Sequence, residues 1–199
     1  MVYQPPVIGE ILTADVILTD LDEPIHLSAY DPQWPLHFEV ERQRLAAVLP
    51  ADTTIEHIGS TSVPGLLAKP ILDIMVGWEL HHDREAIQKA LTGCGYEGLG
   101  EAGVPGRIYF RQRREIAFNI ALVQRGGSLW ASNLAFRHHL RTSPEARQEY
   151  AETKRRAFAS GIRSLRAYSD YKSGVLSRLM SQALEHRLSE RTSHRPSGR

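Results

Sequence analysis

The stretch from Glu56 to Asp73 holds the residues best suited to chemistry. It reads Glu-His-Ile-Gly-Ser-Thr-Ser-Val-Pro-Gly-Leu-Leu-Ala-Lys-Pro-Ile-Leu-Asp. A Gly59-Ser60-Thr61 turn can present amides and hydroxyls to a phosphate. After a Pro-Gly break and Lys69, Asp73 opens an apolar run, and a carboxylate on a rigid strand can hold a metal ion. Lys69, between the two motifs, is placed to neutralise phosphate charge. His57 is a candidate acid or base, with a satisfied core histidine as the alternative. Further along, Arg107, Tyr109 and Arg111 alternate, so a strand would carry all three on one face. Arginine geometry suits a clamp on phosphate or carboxylate.

Local elements must bring these groups together. Asp31 before Pro32 suits a turn, and a helix is expected from about Trp34 to Val48 until Pro50 stops it. Thr53 to Ile58 reads as a short strand, Gly59 to Lys69 as a loop or short helix, and Pro70 to Val76 as a buried strand. A helix from Asp83 to Cys94 has Asp83 as its N-cap and Gly95 as its stop. Glycines from Gly93 to Gly106 read as a mobile connection. Two strands follow, Arg107 to Arg113 and Glu115 to Val123. In the second, Ala117, Asn119 and Ala121 share one face and Ile116, Phe118, Ile120 and Leu122 the other. From Ser128 to about Leu188 the pattern is helical, with breaks near Pro144 and Gly161.

The bulk numbers narrow the function classes. The 199 residues suit one domain; residues 1–24 read as an N-terminal arm, 25–188 as the domain, and 189–199 as a disordered polar tail. The hydrophobic share of 42% and charged share of 24% are those of an ordinary globular chain. A net charge of +1 recruits no nucleic acid, which is not an expected partner. Cys94 is the only cysteine, which excludes an internal disulfide and a cysteine zinc cluster. His138 and His139 point to different sides of a helix and cannot chelate one metal together; His81 and His82 are no stronger as ligands. No signal peptide or membrane span is indicated. The expectation is a cytoplasmic protein with no membrane partner.

Several blocks together resemble the GrpB family, a branch of the nucleotidyltransferase superfamily. They are Tyr30-Asp-Pro-x-Trp-Pro35, His57 to Leu66, Ala68 to Asp73, Leu134-Ala-Phe-Arg137 and Tyr150-x-x-x-Lys154. The resemblance implies an α/β fold, a mixed sheet flanked by helices with a helical C-terminal part. It also implies a Gly-Ser turn facing a strand-borne acid pair that holds Mg²⁺, and it adds Arg137 and Lys154 as anion contacts.

Two departures stand out. Where the superfamily has acid, apolar residue, acid, this chain reads Asp73-Ile74-Met75. Where a further acid or histidine belongs, it reads Asn119-Ile-Ala121. Asp73 alone remains as a metal ligand, so Mg²⁺ is expected to arrive with a nucleotide. The leading reading is a nucleotide-dependent transferase acting on a small acceptor. Asp73, Lys69 and His57 are its catalytic candidates. Gly59, Ser60, Thr61, Arg107, Tyr109, Arg111, Asn119, Arg137 and Lys154 are its binding candidates. The alternatives are a non-catalytic module for a nucleotide or CoA-type ligand, and a metal-independent enzyme acting on a small acid or activated ester. The expected partner in each case is a nucleotide or other phosphorylated small molecule.

Overall fold

A computed structural model describes residues 22–193. The apolar run from Ile8 to Leu18, expected as a peripheral strand or loose arm, lies outside the described residues. Of the expected tail, 189–193 continue the last helix, and 194–199 lie outside the described residues.

The first helix, α1 (Trp34–Ala46), starts where the Asp31 side chain accepts a hydrogen bond from the Gln33 amide at 2.8 Å and Pro35 occupies the first turn. Strand β1 (Thr54–Ile58) leads through a 3-10 turn at Ser60–Ser62 to β2 (Ile71–Trp78). Helix α2 (Arg84–Gly93) is capped by Asp83, whose side chain accepts from the Glu85 and Ala86 amides. Beyond its end Gly95 adopts φ +82°, a conformation that favours glycine. The short β3 (Glu97–Gly98), β4 (Ile108–Arg113) and β5 (Ala117–Gln124) complete the strands. Helices α3 (Ser128–Thr142), α4 (Pro144–Ala159) and α5 (Leu165–Ser193) follow, and Ser143 caps α4 through the Ala146 amide.

The five strands form one mixed sheet in the order β1-β2-β5-β4-β3. Only the β2–β5 pair is parallel. Alternation gives the sheet two different faces. Leu72, Ile74, Val76, Phe118, Ile120 and Leu122 point to the main core, beneath Leu45 of α1 and Ile87 and Leu91 of α2. On the opposite face Met75 and Val123 pack with Ile58 against Trp130 of α3. Helices α3, α4 and α5 join Val63 and Leu66 in a separate apolar cluster, which fixes the segment after the 3-10 turn. Among the described residues no helix is long and apolar enough to cross a membrane.

Candidate functional site

The register of the sheet lays out the site. On the face opposite the main core, Ile58, Asp73, Asn119, Arg111 and Glu97 stand side by side across all five strands. Asn119 Nδ2 donates to Asp73 Oδ1 at 2.7 Å, and Tyr109 Oη donates to Asn119 Oδ1 at 2.7 Å. Arg113 Nη2 donates to the same Asn119 oxygen at 3.0 Å and pairs with Glu23 at 2.8 Å. These bonds orient the Asn119 amide and, through it, the Asp73 carboxylate.

Gly59 closes on Asp73 from the other side. Its backbone sits at φ +68°, ψ −171°, a region open essentially only to glycine. A Cβ built there would overlap the Asp73 carboxylate. Glycine is therefore what lets the 3-10 turn and the acid touch.

A cavity of about 420 Å³ opens over this row, between the sheet and α5. Ser60, Lys69, Asp73, Arg107, Tyr109 and Asn119 line it together with Thr61. The far wall comes from α5, with Tyr168 and Lys172, and Asp22 stands at the rim. Ser60, Lys69, Asp73, Arg107 and Asn119, far apart in sequence, thus share one concave surface. Burial pushes the Lys69 ammonium down to about 8, helped by the charge of Lys172 and opposed by Asp73 and Glu23. Burial also lowers Lys172. Among the described residues neither lysine has a carboxylate within ion-pair distance. Arg107 donates through Nη2 to the Glu101 and Ala102 carbonyls at 3.2 and 2.9 Å, while its buried Nε has no partner among the described residues.

Lys154 sits behind the wall, 1% exposed. Its Nζ lies 2.6 Å from Ser60 Oγ and 3.0 Å from the Leu67 carbonyl, with the Tyr150 ring centroid at 4.3 Å. Burial, with the charge of Lys172, holds its ammonium well below the usual lysine range.

Three expected site residues stand elsewhere. His57 is 7% exposed, stacks on Phe38 of α1 and shares a hydrogen bond with Thr61 Oγ1 at 3.0 Å. Burial and the charges of Arg141 and Arg137 push it down to about 4, so it is a neutral core histidine near pH 7. Arg137 is taken up by Glu56 at 2.8 Å and by the His57 carbonyl at 2.6 Å. Arg111 pairs with Glu97 at 2.7 Å and is not on the cavity wall. The arginine clamp thus contracts to Arg107 beside Tyr109. Residues the sequence reading missed are Lys172, Tyr168, Glu23 and Arg113. Arg113 continues the alternation of Arg107, Tyr109 and Arg111, so that pattern could have found it. Nothing local distinguishes Lys172 from other polar residues of α5.

The site does not fit a resident Mg²⁺. Mg²⁺ wants several oxygen ligands; Asp73 Oδ1 already accepts from Asn119, and among the described residues Asp73 does not gather with the lining carboxylates Asp22 and Asp170 into a group of ligand atoms within 4.8 Å. Met75 is fully buried against Trp130 and faces no cavity. Restoring an acid there would bury a charge in an apolar cluster.

A second polar cluster, Asp52 with His81 and His82, lies at the other end of β2. Both imidazole Nε2 atoms are 2.8 Å from Asp52 oxygens. His82 Nδ1 accepts from the Glu79 amide at 3.1 Å, so the neutral ring carries its proton on Nε2 and donates it to Asp52. A metal-ligating histidine shows the reverse arrangement, donating through its outer nitrogen. This cluster is a hydrogen-bonded clasp between two loops.

Comparison with known proteins agrees with the geometry. The sequence model described as GrpB protein matches residues 24–182. A UPF0157 protein of Streptomyces coelicolor is 38% identical over 160 residues, covering 80% of this chain and 84% of its own length. The crystal structure of the conserved protein GrpB from Enterococcus faecalis superposes with a TM-score of 0.74 at 31% identity, covering 82% of this chain and 99% of that one. A Cid1 poly(U) polymerase structure gives a TM-score of 0.45 at 14% identity over 74% of this chain and 49% of that one, a distant likeness that carries no functional argument.

Proposed function

The chain belongs to the GrpB family, and we propose that its cavity binds a nucleotide or other phosphorylated small molecule as a nucleotide-dependent transferase for a small acceptor. One observation carries this reading. Among the described residues, Lys69 and Lys172 face the cavity without ion-pair partners, beside the Ser60 hydroxyl and Arg107. Desolvating an ammonium is costly unless an anion offsets it. A phosphorylated ligand would supply that anion and oppose the lowering that burial imposes on both lysines.

In this reading Ser60 and the lysines hold phosphate oxygens. Asp73, oriented by Asn119, supplies one oxygen to a Mg²⁺ that enters with the nucleotide. Lys69 and Arg107 neutralise charge that builds on the phosphate.

The test is a thermal-shift screen of nucleotides with and without Mg²⁺. A ligand at 100 times its Kd adds about 2.7 kcal/mol, which for a domain of this size raises Tm by roughly 5–11 °C. Asp73→Asn keeps the Asn119 hydrogen bond and the fold but should lose the extra shift due to Mg²⁺. If no nucleotide moves Tm in either condition, the reading is wrong.

A further inference from the structure

We propose that Ser60 and Lys154 form a nucleophile and base pair, and that the cavity transfers acyl groups from donors with a phosphorylated leaving group, such as acyl phosphates and thioesters of phosphorylated thiols. The substrate class rests on the reading of the cavity as a site for phosphorylated molecules. The pair itself rests on geometry. Ser60 is on the cavity wall, while Lys154 is buried directly behind it with Nζ 2.6 Å from Oγ. That separation lies within hydrogen-bond reach, as a nucleophile and its base require. Lysine serves as the base of a serine in several unrelated hydrolase folds.

The amine is also held in one orientation. One of its hydrogens goes to the Leu67 carbonyl at 3.0 Å. A neutral Nζ then turns its lone pair to the Ser60 hydroxyl. Burial and the charges of Lys172 and Lys69 favour that neutral form, against the attraction of Asp73.

The chemistry balances without a metal. Oγ bonds to the carbonyl carbon as its proton passes to Nζ, and the carbonyl π pair moves to oxygen. The tetrahedral oxyanion forms beside Lys69 and Lys172. Its collapse breaks the bond to the phosphate or thiolate; the leaving group takes the proton back from Lys154, or it leaves as an anion and Lys154 releases the proton to solvent, so that Nζ is neutral again before the second step. The product is acyl-Ser60. Water or an acceptor amine or alcohol then attacks this ester, again losing its proton to Lys154, and Ser60 is regenerated. Asp73 takes no part in these steps.

Two acyl donors separate the pair from the substrate class. Purified full chain is incubated with p-nitrophenyl acetate or with acetyl phosphate, and adducts are mapped by peptide mass spectrometry. The pair requires a single acetyl on Ser60 with p-nitrophenyl acetate. Its rate should rise with pH and level off below pH 10.5, the ordinary lysine value. Ser60→Ala should abolish the adduct. Lys154→Met should slow it by on the order of 100-fold or more, with folding checked by circular dichroism. Where Lys154→Met does not fold, the wild-type pH profile decides. A rate that climbs through pH 10.5 without a plateau means that hydroxide, and not Lys154, takes the proton, and the pair falls. No adduct on Ser60, in a protein that nucleotides still stabilise, leaves the binding site standing and overturns the pair; Lys154 is then only a tether for the 3-10 turn. Labelling by p-nitrophenyl acetate but not by acetyl phosphate, with no nucleotide shift, upholds the pair and overturns the substrate class together with the cavity reading.

Discussion

Replacing Gly59 by alanine isolates the contact between the 3-10 turn and Asp73. Two costs add. The backbone conformation, φ +68° and ψ −171°, is one in which a non-glycine residue loses about 1–3 kcal/mol. The new methyl also overlaps the Asp73 carboxylate, so the acid must rotate away and give up the 2.7 Å bond from Asn119. A hydrogen bond to a charged acceptor is worth about 1.5–3 kcal/mol. The sum is about 2.5–6 kcal/mol. At roughly 2–4 °C per kcal/mol for a domain of this size, Tm should fall by about 5–24 °C.

Gly65→Ala is the control. Its φ is +77°, but nothing lies within 4 Å of the added Cβ. It therefore meets only backbone strain, about 1–2 kcal/mol, or roughly 2–8 °C. Differential scanning calorimetry of both variants reads the difference. The Gly59 variant should also lose nucleotide-induced stabilisation, and the Gly65 variant should keep it. Equal Tm losses, with nucleotide shifts intact in both, would refute the idea that Gly59 is what lets the turn reach the acid.

Other perturbations have equally definite outcomes. Met75→Asp should not create a Mg²⁺ site. It removes a fully buried side chain from the Trp130 cluster, costing about 2–5 kcal/mol before the buried charge is counted, and calorimetry should show a lower Tm with no gain in Mg²⁺ affinity. His57 makes stability depend on pH: its folded value, about 4, lies below the ordinary 6.5, so below pH 6.5 the unfolded chain takes up a proton that the folded chain refuses. Its contribution, roughly 3 kcal/mol, is complete above pH 6.5 and lost as pH falls toward 4. Urea titrations across that window should show the loss, and His57→Gln should flatten it.

How far the site could be read from sequence depended on the range of the signal. The strand, turn and strand from Thr54 to Trp78 announce themselves through Gly59, Pro64-Gly65 and an apolar run. The alternation around Asn119 correctly separates a site face from a core face. The role of His57 was not legible, because burial and the charges of Arg141 and Arg137, which only the tertiary fold brings near, push its ring toward the neutral form, stacked on Phe38. Arg137 and Arg111 were overvalued for the same reason. A basic residue in sequence does not disclose whether a distant Glu56 or Glu97 will claim it. Lys172 was invisible because a lysine on a polar helix looks alike whether it faces solvent or a cavity.

The departures at Met75 and Ala121 then become part of one packing solution. The row next to Asp73 and Asn119 contains Glu56, Met75, Ala121 and Tyr109 in register. Trp130 covers the middle of that region. It fits because Gly77, two residues along β2, has no side chain; a Cβ there would come within 2.7 Å of the indole. A carboxylate at position 75 would lie under this ring in an apolar cluster. Tryptophan packing and a second metal-binding acid are therefore mutually exclusive at this place on the sheet. The chemistry is confined to the Asp73 row, where the carboxylate sits among lysines and arginines, and to Ser60 with the amine behind it. Desolvated Lys69, Arg107 and Lys172 around Asp73 select for an anionic ligand. Proton transfer falls to the amine behind Ser60, whose ammonium burial holds well below the usual lysine range.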